Sequence, residues 1–162
     1  MSIPHWVAGR NPRRRIVRAA IVILGAYLLF SYVLLPVRGA GISMFPTITT
    51  GDIKFVSTVT FRWREPRRGD IVAVRMAGRH VVYLKRIIAM PGERMNFVKG
   101  VVHINGVPLD EPYVQNQADW RSDEIVLAPT EYFVVGDNRS MQMYEHDMGV
   151  VGRDRLVGPV VF

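Results

Sequence analysis

The sequence predicts a mostly β protein, an antiparallel β-sheet domain carried on one N-terminal transmembrane helix. Three observations carry that prediction. An uncharged apolar run, Ala19–Leu35, follows closely behind five arginines. After Gly41 the apolar pattern shortens to brief runs broken by glycine, proline and asparagine, as strands and turns require. No segment after residue 40 keeps a helical period. A chain of 162 residues holds one compact domain plus an anchor, not two ordinary domains.

The first element is the helix. A bilayer crossing takes about 20 residues, with a lower end near 17. The run AAIVILGAYLLFSYVLL meets that length with Ser31 as its one clearly polar side chain, and Tyr27 and Tyr32 suit a membrane helix. Pro36 predicts its end. Residues 1–18 then form a basic tail, 19–37 the anchor and 38–162 the folded domain. Arg10, Arg13, Arg14, Arg15 and Arg18 hold the tail on the cytoplasmic side, so the domain faces outward from a single-pass cell-membrane protein. A buried core helix fits an all-round apolar run behind arginines less well. A cleavable secretion signal would have a long apolar core, and cleavage after Ala40 would place Arg38 at −3, whereas cleavage after Gly39, with Val37 at −3, is less unfavourable; a retained anchor is the preferred reading.

The strands follow in order: Ile53–Thr60, Ile71–Arg75, Val81–Ala89, Asn96–Val98, Val101–Ile104, Glu131–Val135 and Leu156–Phe162. Lys99-Gly100 and Asn105-Gly106 read as hairpin turns, the second with the type I′ pairing of residues. Asn116–Glu124 reads as a polar loop. Phe55, Phe61 and Trp63 form either an apolar patch against the bilayer or ordinary core packing.

Composition removes several classes of function. The net charge is +7, yet all 14 acidic residues and 16 of the 21 basic ones lie from Arg38 onward. The excess therefore belongs to the tail, and a nucleic-acid partner is not expected. The absence of cysteine excludes disulfides, thiolate metal sites and cysteine nucleophiles. His5, His80, His103 and His146 show no paired ligand spacing, so no metal is expected. His80 in a turn, His103 in a hairpin and His146 in a charged loop read as surface residues.

Two segments carry chemistry. In Gly41-Ile42-Ser43-Met44-Phe45-Pro46-Thr47, Ser43 lies between a glycine that permits an unusual turn and a proline that blocks regular structure. Such a loop can project a hydroxyl beside free main-chain N–H groups, although serine between glycine and proline also marks plain loops. In Val81–Ala89 the strand alternation puts Lys85 with Val81, Tyr83, Ile87 and Ala89, and Arg86 with Val82, Leu84 and Ile88. An ammonium on an apolar face has its pKa lowered, and a neutral amine can take a proton from a serine hydroxyl. Alternation alone does not separate Lys85 from Arg86, nor a buried lysine from one that snorkels to solvent. Chemistry prefers lysine, because arginine keeps its proton.

Four stretches match a known family in order. They are Gly41–Thr47 with Gly51-Asp52, Arg68-Gly69-Asp70-Ile71-Val72, Tyr83–Glu93, and Val135-Gly136-Asp137-Asn138-Arg139 with Gly149 and Leu156-Val157-Gly158 beyond. With these the chain resembles bacterial type I signal peptidases, membrane enzymes that remove signal peptides from exported proteins. The resemblance implies Ser43 as nucleophile, Lys85 as general base and the Ser43 N–H as oxyanion donor. Gly41 stands where some relatives add a hydroxyl donor. It further implies support from Asp137, Asn138, Arg139 and Gln142, no cofactor, and two partners: the lipid bilayer and signal peptides with small residues at −1 and −3. After Gly-Asp-Asn-Arg the family usually continues Asp-Asn-Ser-x-Asp-Ser-Arg; this chain reads Ser140-Met141-Gln142-Met143-Tyr144-Glu145-His146. Gln142 takes the place of a serine that orients the lysine, and Tyr144 and His146 replace a supporting acid and arginine. Glu145 and Asp147 are neighbouring groups that would compensate. Two further readings stay open: a processing peptidase with one dedicated substrate, and a catalytically impaired membrane protein that binds signal sequences.

Overall fold

The computed structural model describes residues 12–75, 82–146 and 148–161. Its one long helix, α1 (Pro12–Tyr32), opens on a proline, whose fixed φ suits a first helical turn. Arg13, Arg14, Arg15 and Arg18 lie within its first two turns. The helix buries none of its residues, and it is long and apolar enough to cross a membrane.

The helix ends at Tyr32, four residues before Pro36, because the chain turns into a strand there. Strand β1 (Leu34–Arg38) pairs antiparallel with β2 (Ile53–Ser57), Leu34 opposite Ser57 and Arg38 opposite Ile53. Pro36 is accommodated in this two-stranded sheet, where a missing N–H is tolerated at an edge. Thr58 closes the helix end, its hydroxyl donating to the Tyr32 carbonyl (2.8 Å) and its N–H to that of Val33 (2.9 Å). Phe30 of the helix packs on Phe55, ring centroids 5.9 Å apart.

The fold is otherwise antiparallel β, as the pattern predicts. A five-stranded sheet runs in the order β10 (Gly149–Gly152), β9 (Glu131–Val135), β4 (Val82–Ala89), β3 (Ile71–Arg75), β11 (Leu156–Pro159). A four-stranded sheet runs β7 (Val107–Pro108), β6 (Val101–Ile104), β5 (Arg94–Val98), β8 (Ile125–Val126). Strands β3, β6 and β9 have the bounds expected from sequence. Strand β2 stops at Ser57 and gives way to a short 3-10 turn, Thr60–Arg62. Val81 and Phe162, ends of two expected strands, lie outside the described residues, as do His5, His80, Arg10 and Asp147. Both expected hairpin turns have positive φ at each central residue, Lys99 49° and Gly100 84°, then Asn105 51° and Gly106 81°, as type I′ geometry demands.

Because β3 and β4 are covered on both faces, their alternate residues feed different cores. Val72, Val74 and Ile87 pack with Tyr132, Val134, Val151 and Leu156. Ala73 and Leu84 pack with Met44, Ile48 and Val56. After a bulge in the β4–β9 pairing, Ile88 and Ala89 join Phe97, Phe133 and Trp120 in a third core. Trp120 comes from the segment read as a polar loop; it is a loop, but its indole is buried. Phe55, Phe61 and Trp63 have different surroundings. Phe61 is covered by the guanidinium groups of Arg64 and Arg153 (5.5 and 5.0 Å from its ring centre), Phe55 meets Phe30, and Trp63 alone is fully exposed.

Candidate active site

The loop between β1 and β2 carries Ser43. Its neck is closed by Gly39 and Asp52 (N–H to carbonyl, 2.8 Å) and by Gly51 and Gly39 (2.9 Å). Met44 and Ile48 plug into the core beneath it. Gly41, at φ 84°, turns the chain into the segment, and the Phe45 N–H donates back to the Ile42 carbonyl at 3.0 Å. The serine is thus fixed from below by apolar anchors while its own side chain stays half exposed.

The segment after β9 forms the bed of this loop. The Asn138 N–H donates to the Ser43 carbonyl (3.0 Å), and its side-chain amide to the Ile42 carbonyl (3.1 Å). Gly136 lies so close under Ser43 that an added Cβ would sit 2.1 Å from the Ser43 carbonyl oxygen. Only a residue without a side chain fits there.

Lys85 sits in the middle of β4, opposite Val72 of β3, and is only 2% exposed. Its Nζ lies 5.9 Å from the centre of the Tyr83 ring. Ser43 and Lys85 line one cleft of about 200 Å³, together with Gly41, Ile42, Tyr83, Met141, Glu145 and His146. A second cavity of similar size shares Tyr83, Lys85 and His146 and is walled by Val74, Val134, Met148 and Val151. A third, of about 180 Å³, reaches from Ser43 along Val37, Ile48, Val82 and Leu84. The lysine side chain thus borders two of these cavities while staying almost wholly shielded from solvent.

Arg86 lies on the other face of β4 and makes different contacts. Its Nε donates to Asp137 at 2.8 Å, its Nη2 to the second oxygen of the same carboxylate, and its Nη1 to the Gly69 carbonyl at 2.8 Å. Burial would lower the Arg86 pKa, but the hydrogen bond and charge of Asp137 more than reverse this and raise it. Asp137 also accepts from the Thr47 hydroxyl, tying the Ser43 loop to β4. The guanidinium plane stacks on Tyr113 at 3.9 Å. Tyr113 donates to Glu111 (2.8 Å), and Glu111 accepts from Arg139 (2.8 Å). Arg139 Nε donates to the Gly136 carbonyl at 2.7 Å, closing the circuit under Ser43. Burial, reinforced by Glu111, pushes the Tyr113 phenol far above the ordinary tyrosine range.

Of the residues expected at the site, Ser43 and Lys85 meet in the cleft, and Asp137, Asn138 and Arg139 meet beneath it. Gln142 is exposed at the start of a 3-10 turn (Met143–Glu145) and lines none of the three cavities. His146, read from sequence as a surface residue, is half buried, lines the cleft and packs edge-to-face on Trp120 at 4.7 Å. The Arg86–Asp137 and Arg139–Glu111 pairs join residues 51 and 28 positions apart, and the one local sign of them is an arginine inside an apolar strand. Among the described residues no group of three or more His, Asp or Glu side chains is placed to hold a metal ion.

The cleft thus stands in an antiparallel β-sheet domain that follows one apolar helix. The chain belongs to the signal peptidase family, peptidase S26, whose model matches residues 13–162. A Synechocystis relative bearing a signal peptidase I-2 name is 33% identical over 72% of this chain and 56% of its own length. Signal peptidase I T of Bacillus subtilis is 30% identical over 88% of this chain and 79% of its own. A crystal structure of a signal peptidase I from Enterococcus faecalis is similar at a TM-score of 0.50 and 25% identity, covering 60% of this chain and 98% of that one. The chain thus spans little more than half of the Synechocystis relative.

Proposed function

We propose that the chain is a membrane-bound serine endopeptidase that removes N-terminal signal peptides from exported precursors, with Ser43 as nucleophile and Lys85 as general base. The observation that carries this reading is the shared cleft, in which a loop serine faces a lysine shielded from water on β4. The neutral amine of Lys85 takes the Ser43 hydroxyl proton as the oxygen attacks the scissile carbonyl. The oxyanion is received by the Ser43 N–H. Lys85 then returns its proton to the leaving amine of the mature protein. In the second half, Lys85 deprotonates a water that hydrolyses the acyl–Ser43 ester and frees the signal peptide. The cavities that share residues with the cleft are small, about 180 and 200 Å³, and carry apolar walls from Val37, Ile48 and Leu84 in one and Val74, Val134 and Val151 in the other, which suits short side chains at −1 and −3.

In this reading residues 1–18 form the cytoplasmic tail, 19–37 the membrane anchor and 38–162 the extracytoplasmic domain. The arginines at the head of α1 support that orientation. A second reading, binding of signal sequences without turnover, draws on Gln142 being exposed and not lining the cleft. Purified protein in detergent, given several unrelated precursors with Ala-x-Ala sites, separates the readings. Cleavage of all of them by wild type and none by Ser43→Ala supports general processing. Cleavage of one precursor alone points to a dedicated substrate, and binding without turnover sinks the peptidase reading.

A further inference from the structure

One wall of the cleft has little structure of its own. Residues 140–146 contain only the short 3-10 turn at Met143–Glu145, yet Met141, Glu145 and His146 from this segment face Ser43 and Lys85. Among the described residues Ser140 donates to Asn138 Oδ1 from its N–H (3.1 Å) and its hydroxyl (2.7 Å), and Met143 packs on the core, but two of the contacts that fix the wall are made by one residue. The Trp120 indole N–H donates to the Met141 carbonyl at 2.7 Å. The Trp120 ring receives the His146 imidazole edge-to-face, centroids 4.7 Å apart at 69°.

Trp120 is a firm support. It is 2% exposed, stands edge-to-face on Phe97 (5.3 Å, 76°), lies 5.6 Å from the Arg139 guanidinium, and accepts from the Gly100 N–H at 2.9 Å. The next turn of its loop is bonded to the site as well, the Ala118 N–H donating to the Arg139 carbonyl (2.8 Å). His146 borders both the cleft and the cavity beyond it, and in both it is accompanied by Lys85 and Tyr83. Its ring is thus part of the partition that covers the lysine.

We propose that Trp120 and His146 are positioning residues: their ring contact holds the 140–146 wall over Lys85 and so sets the exposure and aim of its amine. This rests on the peptidase reading for its catalytic consequence, but not for its structural one. Polar rings in edge-to-face contact favour one geometry over others, and a displacement of about 1 Å at a reacting group costs up to about 100-fold in rate.

The test uses the full chain and the variants His146→Ala, His146→Phe and Trp120→Phe, with Tyr144→Ala, 85% exposed in the same segment, as control. Lys54, Lys85 and Lys99 are the chain's lysines, so labelling with a small amine-acylating reagent, read by mass spectrometry, carries its own references. Lys85 is expected to label several-fold faster in His146→Ala than in wild type, unchanged in Tyr144→Ala, and back near the wild-type rate in His146→Phe. In precursor cleavage, His146→Ala is expected to lower kcat about tenfold or more with KM within about twofold, and His146→Phe to recover most of it. Trp120→Phe, which keeps a ring but loses the bond to Met141, should fall between. Unchanged Lys85 labelling in His146→Ala, or a His146→Phe variant as defective as His146→Ala, overturns the proposal. Failure of the wild type to cleave overturns the peptidase reading instead, and the labelling still decides the positioning role.

Discussion

Replacing Gly136 with alanine puts a methyl group where the Ser43 main chain runs. The new Cβ would lie 2.1 Å from the Ser43 carbonyl oxygen, 2.9 Å from its carbonyl carbon and 3.3 Å from its Cβ. Contacts below 3.0 Å are not sustained, and the obstacle is backbone rather than the tip of a flexible side chain. One of the two segments must therefore move by about 1 Å, a displacement that costs up to about 100-fold in rate at a reacting centre. The same shift stretches the 3.0 Å bond from Asn138 to the Ser43 carbonyl, worth about 1 kcal/mol. Cleavage kinetics on an Ala-x-Ala precursor should show kcat down on the order of 100-fold in Gly136→Ala, while the folding transition falls only modestly. A variant with the wild-type kcat would refute the reasoning, because it would mean that the seat of Ser43 on the β9 turn does not control the nucleophile.

Two further results follow from the buried network. Asp137→Ala leaves the Arg86 cation without its carboxylate in a site where Asp137 is fully buried, so unfolding free energy should fall by about 3–5 kcal/mol, measured by denaturant titration; a loss under about 1 kcal/mol would contradict the pairing. Tyr113 gives an alkaline signature. Its phenol is held above the ordinary value by burial and Glu111, so the folded state keeps this proton more tightly than the unfolded chain. That contribution is complete below about pH 10 and is lost as pH rises toward the folded value. Denaturation midpoints compared at pH 9 and pH 11 should drop less in Tyr113→Phe than in wild type, and equal drops would remove the claim.

Much of the fold is legible in the chain because the strands β3, β6 and β9 are runs of β-branched and aromatic residues bounded by turn formers. Strand β1 is hidden because Leu34 and Leu35 continue the apolar run of the helix without a break. Strand β10, Gly-Val-Val-Gly, is too short and too rich in glycine to stand out. At the site, alternation places Lys85 and Arg86 on opposite faces, but only the carboxylate of Asp137, from a turn far along the chain, assigns Arg86 to the supporting network and leaves Lys85 to the cleft. His146 follows the same rule. Its charged neighbours suggest solvent, and its burial depends on Trp120, which belongs to a segment polar on either side. Local pattern reports faces and turns; it does not report which distant partner a face will meet.

The central claim is that Ser43 and Lys85 act together, and the most direct measurement compares precursor cleavage by wild type, Ser43→Ala and Lys85→Met under one set of conditions. Methionine keeps much of the length of the buried lysine side chain and removes only the amine that can carry a proton. Thermal melts and the N-terminus of the product, read by mass spectrometry, accompany the rates. Cleavage at one site by the wild type and loss of it in both variants, with the melts retained, is the predicted result. Cleavage by a well-folded Lys85→Met at the wild-type rate would contradict the account and send the search for the base elsewhere in the cleft.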